Sequence, residues 1–234
     1  MEVELEGVEP FLVDSLQDCA AMRDWEALAD LLLEEVGPGE EALVLEDLEA
    51  VALVSLLVAG VKQGVTGQPP EGRGGQKKVL TAREQAAGQA VREEASLVLL
   101  PCLPRILNMF LETPDTAAQV MELLQWLDPE VYTVGRQDAV LDSLLVHCQD
   151  AVMQQDHPPL LAAVSRSLER LCSPGLSVQA RCDTTRSQLL DSVAEQYRSN
   201  LEDFSSRQKD AEQSVGLSTD PLRSRLARLV ALFP

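Results

Sequence analysis

Asp47-Leu-Glu-Ala-Val-Ala-Leu-Val-Ser-Leu-Leu-Val-Ala-Gly-Val-Lys-Gln-Gly-Val65 is apolar on nearly every side of a helical wheel. A surface helix shows one apolar stripe, whereas a helix apolar all round has neighbours all round. The pattern therefore predicts a helix over 47–65 in the centre of a helical stack. Its apolar run from Ala50 to Val61, interrupted by Ser55 alone, is shorter than the roughly 20 residues that a membrane span takes. A buried core helix is expected, and no membrane contact.

Working outward, Trp25, Leu28, Leu31 and Leu32 recur at three- and four-residue steps and predict a helix over 24–36. Phe11, Leu12, Leu16 and Cys19 mark the apolar face of another over 8–21. On the other side lies the clearest break, a loop over 66–79 holding Gly67, Pro69, Pro70, Gly72, Gly74 and Gly75. Thr81-Ala-Arg-Glu84 reads as a capping box opening a helix over 81–111, with a kink or break at Pro101 and Pro104. Thr113-Pro114, Asp128-Pro129 and Asp220-Pro221 each pair an N-cap residue with proline at the first helical position. Further helices are expected over 114–127, 136–155, 158–172, 184–207 and 221–233, with a short turn around 130–133. No stretch alternates with period two. Helix pairs instead follow at a spacing of roughly 40 residues, the period of HEAT and armadillo arrays, whose pairs bury their apolar faces on one another. The expected fold is all-α, a HEAT-like helical-repeat solenoid formed by 1–234 as one segment, with a closed bundle as the alternative.

Composition agrees. Apolar residues make up 45% of the 234, but aromatics are 3%, so the core is Leu, Val and Ala, the currency of helix-on-helix packing. The formal charge of −19 repels phosphate backbones and predicts little direct DNA binding, with a basic partner favoured over an acidic one. Residues 1–65 hold 16 acidic side chains against Arg23 and Lys62, a net of −14. Residues 66–85 hold Arg73, Lys77, Lys78 and Arg83 against Glu71 and Glu84, a net of +2. Those four basic residues are the candidate contact for phosphate or an acidic partner segment; without interleaved aromatics, a solvated loop is the plainer reading.

The patterns of catalysis and cofactor binding are missing. Gly67-Gln-Pro-Pro-Glu-Gly72-Arg73 has the glycine spacing of a phosphate loop, but Arg73-Gly74 stands where Lys-Ser/Thr belongs and no strand precedes it. His147 and His157 lie near no nucleophile elbow, and adjacent acidic pairs such as Glu34-Glu35 and Glu93-Glu94 are expected to be solvated. Cys19, Cys102, Cys148, Cys172 and Cys182 form no CxxC pair, so buried thiols in a reducing compartment are expected. A zinc site from His147, Cys148, His157 and Cys172 would need an unusual ligand spacing. Trp25 and Trp126 fall in periodic apolar runs and are expected in the core. The chain is expected to have no catalytic residue, no cofactor and no metal. The acidic start lacks a secretory signal, and the apolar end over 229–233 looks cut from a longer array.

Certain segments carry a further signal. Leu12-Val-Asp-Ser-Leu16, Asp24-Trp-Glu26, Leu31-Leu-Leu-Glu-Glu35 and Gly39-Glu-Glu-Ala-Leu43 occur in an order and spacing that resembles the cohesin stromal-antigen (stromalin) family. So do Pro69-Pro70, Gly72-Arg-Gly74, Lys78-Val-Leu-Thr-Ala82 and Tyr132-Thr133 with Gly135-Arg136. Leu171-Cys172, Arg186-Ser-Gln-Leu-Leu-Asp191, Leu201-Glu-Asp203 and Leu226-Ala-Arg-Leu229 continue the match to residue 232 or so. It covers nearly all of this chain and a central part of the family's longer one. Gln68 replaces a family histidine, and Gln85-Ala-Ala87 replaces family lysines, which marks a divergent member and leaves mitotic and meiotic types open. The resemblance implies a HEAT-type scaffold without catalysis, held in the cohesin ring by its kleisin subunit and, through that, by the coiled-coil ATPase subunits. It implies contact with chromatin through those partners, a place in the nucleus on chromosomes, and a part in sister chromatid cohesion and chromosome organisation. The alternative is an unrelated HEAT or armadillo adaptor that binds basic peptides.

Overall fold

The computed structural model describes residues 8–16, 19–33, 45–70 and 79–210, with side chains to residue 205. Among the described residues every regular element is helical. α1 (Glu9–Ser15) and α2 (Trp25–Leu32) are followed by the long α3 (Asp47–Thr66) and α4 (Ala82–Met109). Then come α5 (Pro114–Glu122), the short α6 (Glu130–Val134), α7 (Asp138–Gln154), α8 (Pro158–Leu171) and α9 (Gln179–Asp210). Single 3₁₀ turns stand at Ala20–Arg23 and Leu123–Gln125.

The helices form two layers. In one, α1 packs on α3, α3 on α5 and α5 on α8; in the other, α2 packs on α4, α4 on α7 and α7 on α9. Contacts between α3 and α4, α7 and α8, and α8 and α9 join the layers. No contact of comparable extent joins α1 or α2 to α8 or α9 among the described residues, as closing a bundle would require. Successive pairs therefore stack in line, the solenoid arrangement. A continuous core of buried side chains runs from Trp25 to Val193.

Local chemistry sets where the helices begin. The Thr81 side chain accepts from the Glu84 amide at 3.3 Å while Glu84 accepts from the Thr81 amide at 2.8 Å, the expected capping box. Glu46 and Glu49 make a second box at the start of α3, and the Asp24 carboxylate caps α2 by accepting from Ala27 at 3.1 Å. α3 is long and apolar enough to cross a bilayer by length and composition alone. Here α1, α4 and α5 pack against it instead, with Val54, Leu57 and Val61 buried.

The structure differs from expectation in several places, among them the turn expected around 130–133, which is the helix α6. The helix expected over 8–21 ends at Ser15, and α1 turns Val13 inward. Phe11, Leu12 and Leu16, expected on the packed face, are 39%, 44% and 39% exposed. The helix expected over 114–127 tightens into 3₁₀ after Glu122, which still buries Leu123, Leu124 and Leu127. α7 begins at Asp138 rather than 136 because Arg136 takes a positive φ of 52°. α9 begins at Gln179 rather than 184, immediately after the turn at Gly175, since Val178 and Cys182 point into the core. Trp126 is half-buried, with the Lys62 ammonium 5.8 Å from its ring centre. The helix expected over 221–233 lies outside the described residues.

α4 runs through both of its prolines as one helix. Pro104 lacks the N–H that would bond the Leu100 carbonyl four residues back. The buried Tyr132 hydroxyl donates to that carbonyl at 3.3 Å instead, from α6. Burial, then the neighbouring Cys148 and Cys182, hold this phenol protonated by raising its pKa well above the usual range. Nearby, the Asp128 amide donates to the buried Ser96 hydroxyl of α4 at 2.7 Å. Tyr132→Phe should cost about 1 to 2 kcal/mol by orphaning the carbonyl. In a Pro104→Ala background, where an amide returns, the same change should cost less, and a double-mutant cycle by urea unfolding checks it.

Candidate functional site

Four glycines shape the region beside the 66–79 loop. Gly60 and Gly64 stand one turn apart on α3, Gly67 ends that helix in a left-handed conformation, and Gly88 of α4 meets the backbone of Gly64 and Val65. A Cβ on Gly88 would sit 2.5 Å from the Val65 backbone oxygen, and one on Gly64 would sit 2.8 Å from the Val91 side chain. The two helices therefore cross nearly backbone to backbone. Beside that crossing the missing side chains leave an open cleft of about 400 Å³, walled by Val13 and Asp14 of α1, by Met22, Arg23 and Trp25, and by Leu80, Glu84 and Val91. The Gln63 amide donates to the Asp14 carboxylate across it at 2.7 Å, while the Gln63 carbonyl oxygen is buried without a partner.

Gly67 and Pro69 at the start of the loop and Leu80 just after it line this cleft. Of the four expected basic contacts, Arg73, Lys77 and Lys78 lie outside the described residues. Arg83 stands exposed in the first turn of α4. A second hollow, about 320 Å³ and open, lies beyond Trp25 between the 3₁₀ turn at Ala20–Arg23, the start of α2 and the flank of α4; Asp24, Glu26 and Glu94 stand in its wall. Sequence reading reached neither cavity, although Gly60 and Gly64, one turn apart in an apolar helix, were the signal for a close crossing.

The groups considered for metal or nucleophile chemistry serve the fold. The His157 Nδ1 accepts the Leu160 amide at 3.4 Å and so caps α8, while its Nε2 lies 3.0 Å from the Asp115 carboxylate of α5. Cys148 is enclosed near Cys182, and burial first, then that neighbour, pushes its pKa up to about 12. Cys172 is likewise raised to about 12, by burial and then by its hydrogen bond to Asp183. Burial, then Asp183, lifts Cys182 to about 11. Among the described residues His147, Cys148, His157 and Cys172 do not come together as a ligand set. The arrangement can hold and present surfaces. A thiol kept protonated is a poor nucleophile, so a neutral-pH maleimide or disulfide reagent should label exposed Cys19 quickly and leave Cys148, Cys172 and Cys182 unlabelled until urea unfolds the chain. Mass spectrometry of the labelled peptides checks this.

Known proteins with similar sequences are informative at this point. The family model of the cohesin subunit SCC3/SA HEAT-repeats domain matches residues 11–234. Cohesin subunit SA-3 of Mus musculus is 32% identical over 234 residues, covering 99% of this chain and 18% of its own. Cohesin subunit SA-1 of Xenopus laevis is 31% identical over 215 residues, 91% of this chain and 17% of its own. Cohesin subunit scc-3 of Caenorhabditis elegans is more distant, at 24% over 167 residues. The chain spans less than a fifth of the length of these relatives.

Proposed function

Because the chain belongs to the SCC3/SA family of cohesin subunits, we propose that it works as a non-catalytic helical scaffold in a cohesin assembly, holding partner proteins in register. The observation that carries this reading is the in-line stacking of helix pairs in two layers, under a family match that covers nearly the whole chain. Such an array offers a long side-chain surface, while the half-buried His157 caps α8 and the thiols of Cys148, Cys172 and Cys182 lie in the core. The partners we infer are the kleisin subunit and, through it, the coiled-coil ATPase subunits, in the nucleus on chromosomes. DNA would be reached through those partners, since the acidic surface disfavours phosphate. We further propose that residues 1–234 act as one solenoid segment, and that Arg73, Lys77, Lys78 and Arg83 form a small basic contact for phosphate or an acidic partner segment. The family match displaces the alternative of an unrelated HEAT or armadillo adaptor.

Affinity purification of the tagged chain from dividing cells tests the reading. Recovery of kleisin together with both coiled-coil ATPase subunits is expected, with little retention of duplex DNA by the purified chain at physiological salt. A folded chain, helical by circular dichroism, that recovers none of those subunits would overturn it.

A further inference from the structure

α9 continues well past the core it packs on. It meets α7 and α8, and Cys182, Leu189 and Val193 reach the core. From Ala194 to Ser205 no residue is buried, over about 18 Å of helix. The apolar pattern does not stop at Val193, however. Ala194, Tyr197 and Phe204 are half-buried and Leu201 is 43% exposed. These four stand at steps of three, four and three residues, which places them in one narrow stripe on one side of the helix.

A helix that covers this stripe has to match its spacing and length, and the sequence itself contains one candidate. The segment 221–233, expected from its pattern to be helical, carries Leu222, Leu226, Leu229 and Phe233 at steps of four, three and four. Seams with such steps interlock when two helices pair. The stripe on α9 spans about 15 Å and the one on 221–233, as a helix, about 17 Å. Run antiparallel, the two also match in size, since the largest side chain, Phe233, falls opposite the smallest, Ala194. Residues 211–220 connect α9 to the segment. A connection this short holds it at an effective concentration of about millimolar, so a modest contact suffices to keep it in place.

We propose that residues 221–233 fold back antiparallel on the outer half of α9, with Leu222 against Phe204, Leu226 against Leu201, Leu229 against Tyr197 and Phe233 against Ala194. The segment is then a built-in cover for an apolar surface that would otherwise take an amphipathic helix from a partner or from a second copy of the chain. This goes beyond the scaffold reading and is independent of it. The test uses the purified chain alone, so either can fail without the other.

Amide hydrogen exchange of the full chain, followed by mass spectrometry, tests this in both directions. Leu226→Asp with Leu229→Asp should speed exchange over 194–205 about tenfold, as for a helix end that has lost its cover, while α4 and α8 keep their rates. Reciprocally, Tyr197→Ser with Leu201→Ser should speed exchange over 221–233 by about the same factor. Arg223→Gln with Arg228→Gln, off the seam, should leave 194–205 unaltered. Three results would overturn the proposal. The first is unchanged exchange over 194–205 when Leu226 and Leu229 become aspartate. The second is equal acceleration by the arginine changes. The third is wild-type protection that fades on about hundredfold dilution, the mark of a cover supplied by a second copy.

Discussion

Replacing Trp25 by alanine is expected to lower stability by about 3 to 5 kcal/mol, the range for deleting a large buried aromatic. The side chain is 3% exposed and fills the junction of α2, α3 and α4, with Gly60 leaving room for its benzo edge. Trp25 lines two open cavities, of about 400 and 320 Å³. Since water already reaches both, part of the void would flood rather than stay empty, and the lower half of the range is the better expectation. In an array stabilised by neighbouring pairs, the loss should also be uneven. Amide exchange in α1 and α2 should accelerate well before exchange in α8. Urea unfolding gives the total and exchange gives its distribution. A change below about 0.5 kcal/mol, typical of surface sites, would place Trp25 outside the core.

Gly88→Ala is the second large effect, and here two tendencies oppose one another. Within a helix, alanine is favoured over glycine by about 1 kcal/mol. Against that, the added methyl would sit 2.5 Å from the Val65 carbonyl oxygen and 3.3 Å from its carbon. Those atoms are main chain and cannot swing aside, so α3 and α4 must separate along their whole contact. Overpacking against backbone typically costs about 1 to 3 kcal/mol and occasionally more, so a net loss of about 2 kcal/mol is expected. Gly64→Ala should be milder, because its 2.8 Å conflict is with a Val91 methyl, which can move. A melting-temperature comparison of the two variants checks the order. Equal or raised stability in Gly88→Ala would mean that the helices cross farther apart.

Much of this architecture was legible in the residues. The 47–65 pattern placed α3 at the centre, and Thr81 with Glu84 fixed the start of α4 to the residue, because a capping box is a local device. Helix ends failed where the deciding contact was distant. Nothing near Leu12 says that Val13 faces α3 instead, since both lie in one apolar run. Nothing near residue 179 shows that Val178 and Cys182 reach the core and pull the start of α9 forward. The prolines of α4 suggested a break because the acceptor's substitute donor, Tyr132, stands 32 positions away. The candidate site was read least well. Basic residues in the loop drew attention by charge, whereas both cavities arise from pairing between helices far apart in sequence, the larger one beside glycines.

The in-line layers have a mechanical consequence. If a load is applied between α1 and α9, it passes through α3, α5 and α8 on one side and α4 and α7 on the other, shared between the layers except at α1, whose junction with α3 bears it alone. Elements coupled in series add their compliances, so the softest junction sets how far the rod stretches and where it lets go first. The glycine crossing of α3 and α4 is stiff, being backbone against backbone. At α1, where α3 is the sole extensive contact, tension should open the stack earliest, leaving the middle pairs intact as a shorter rod.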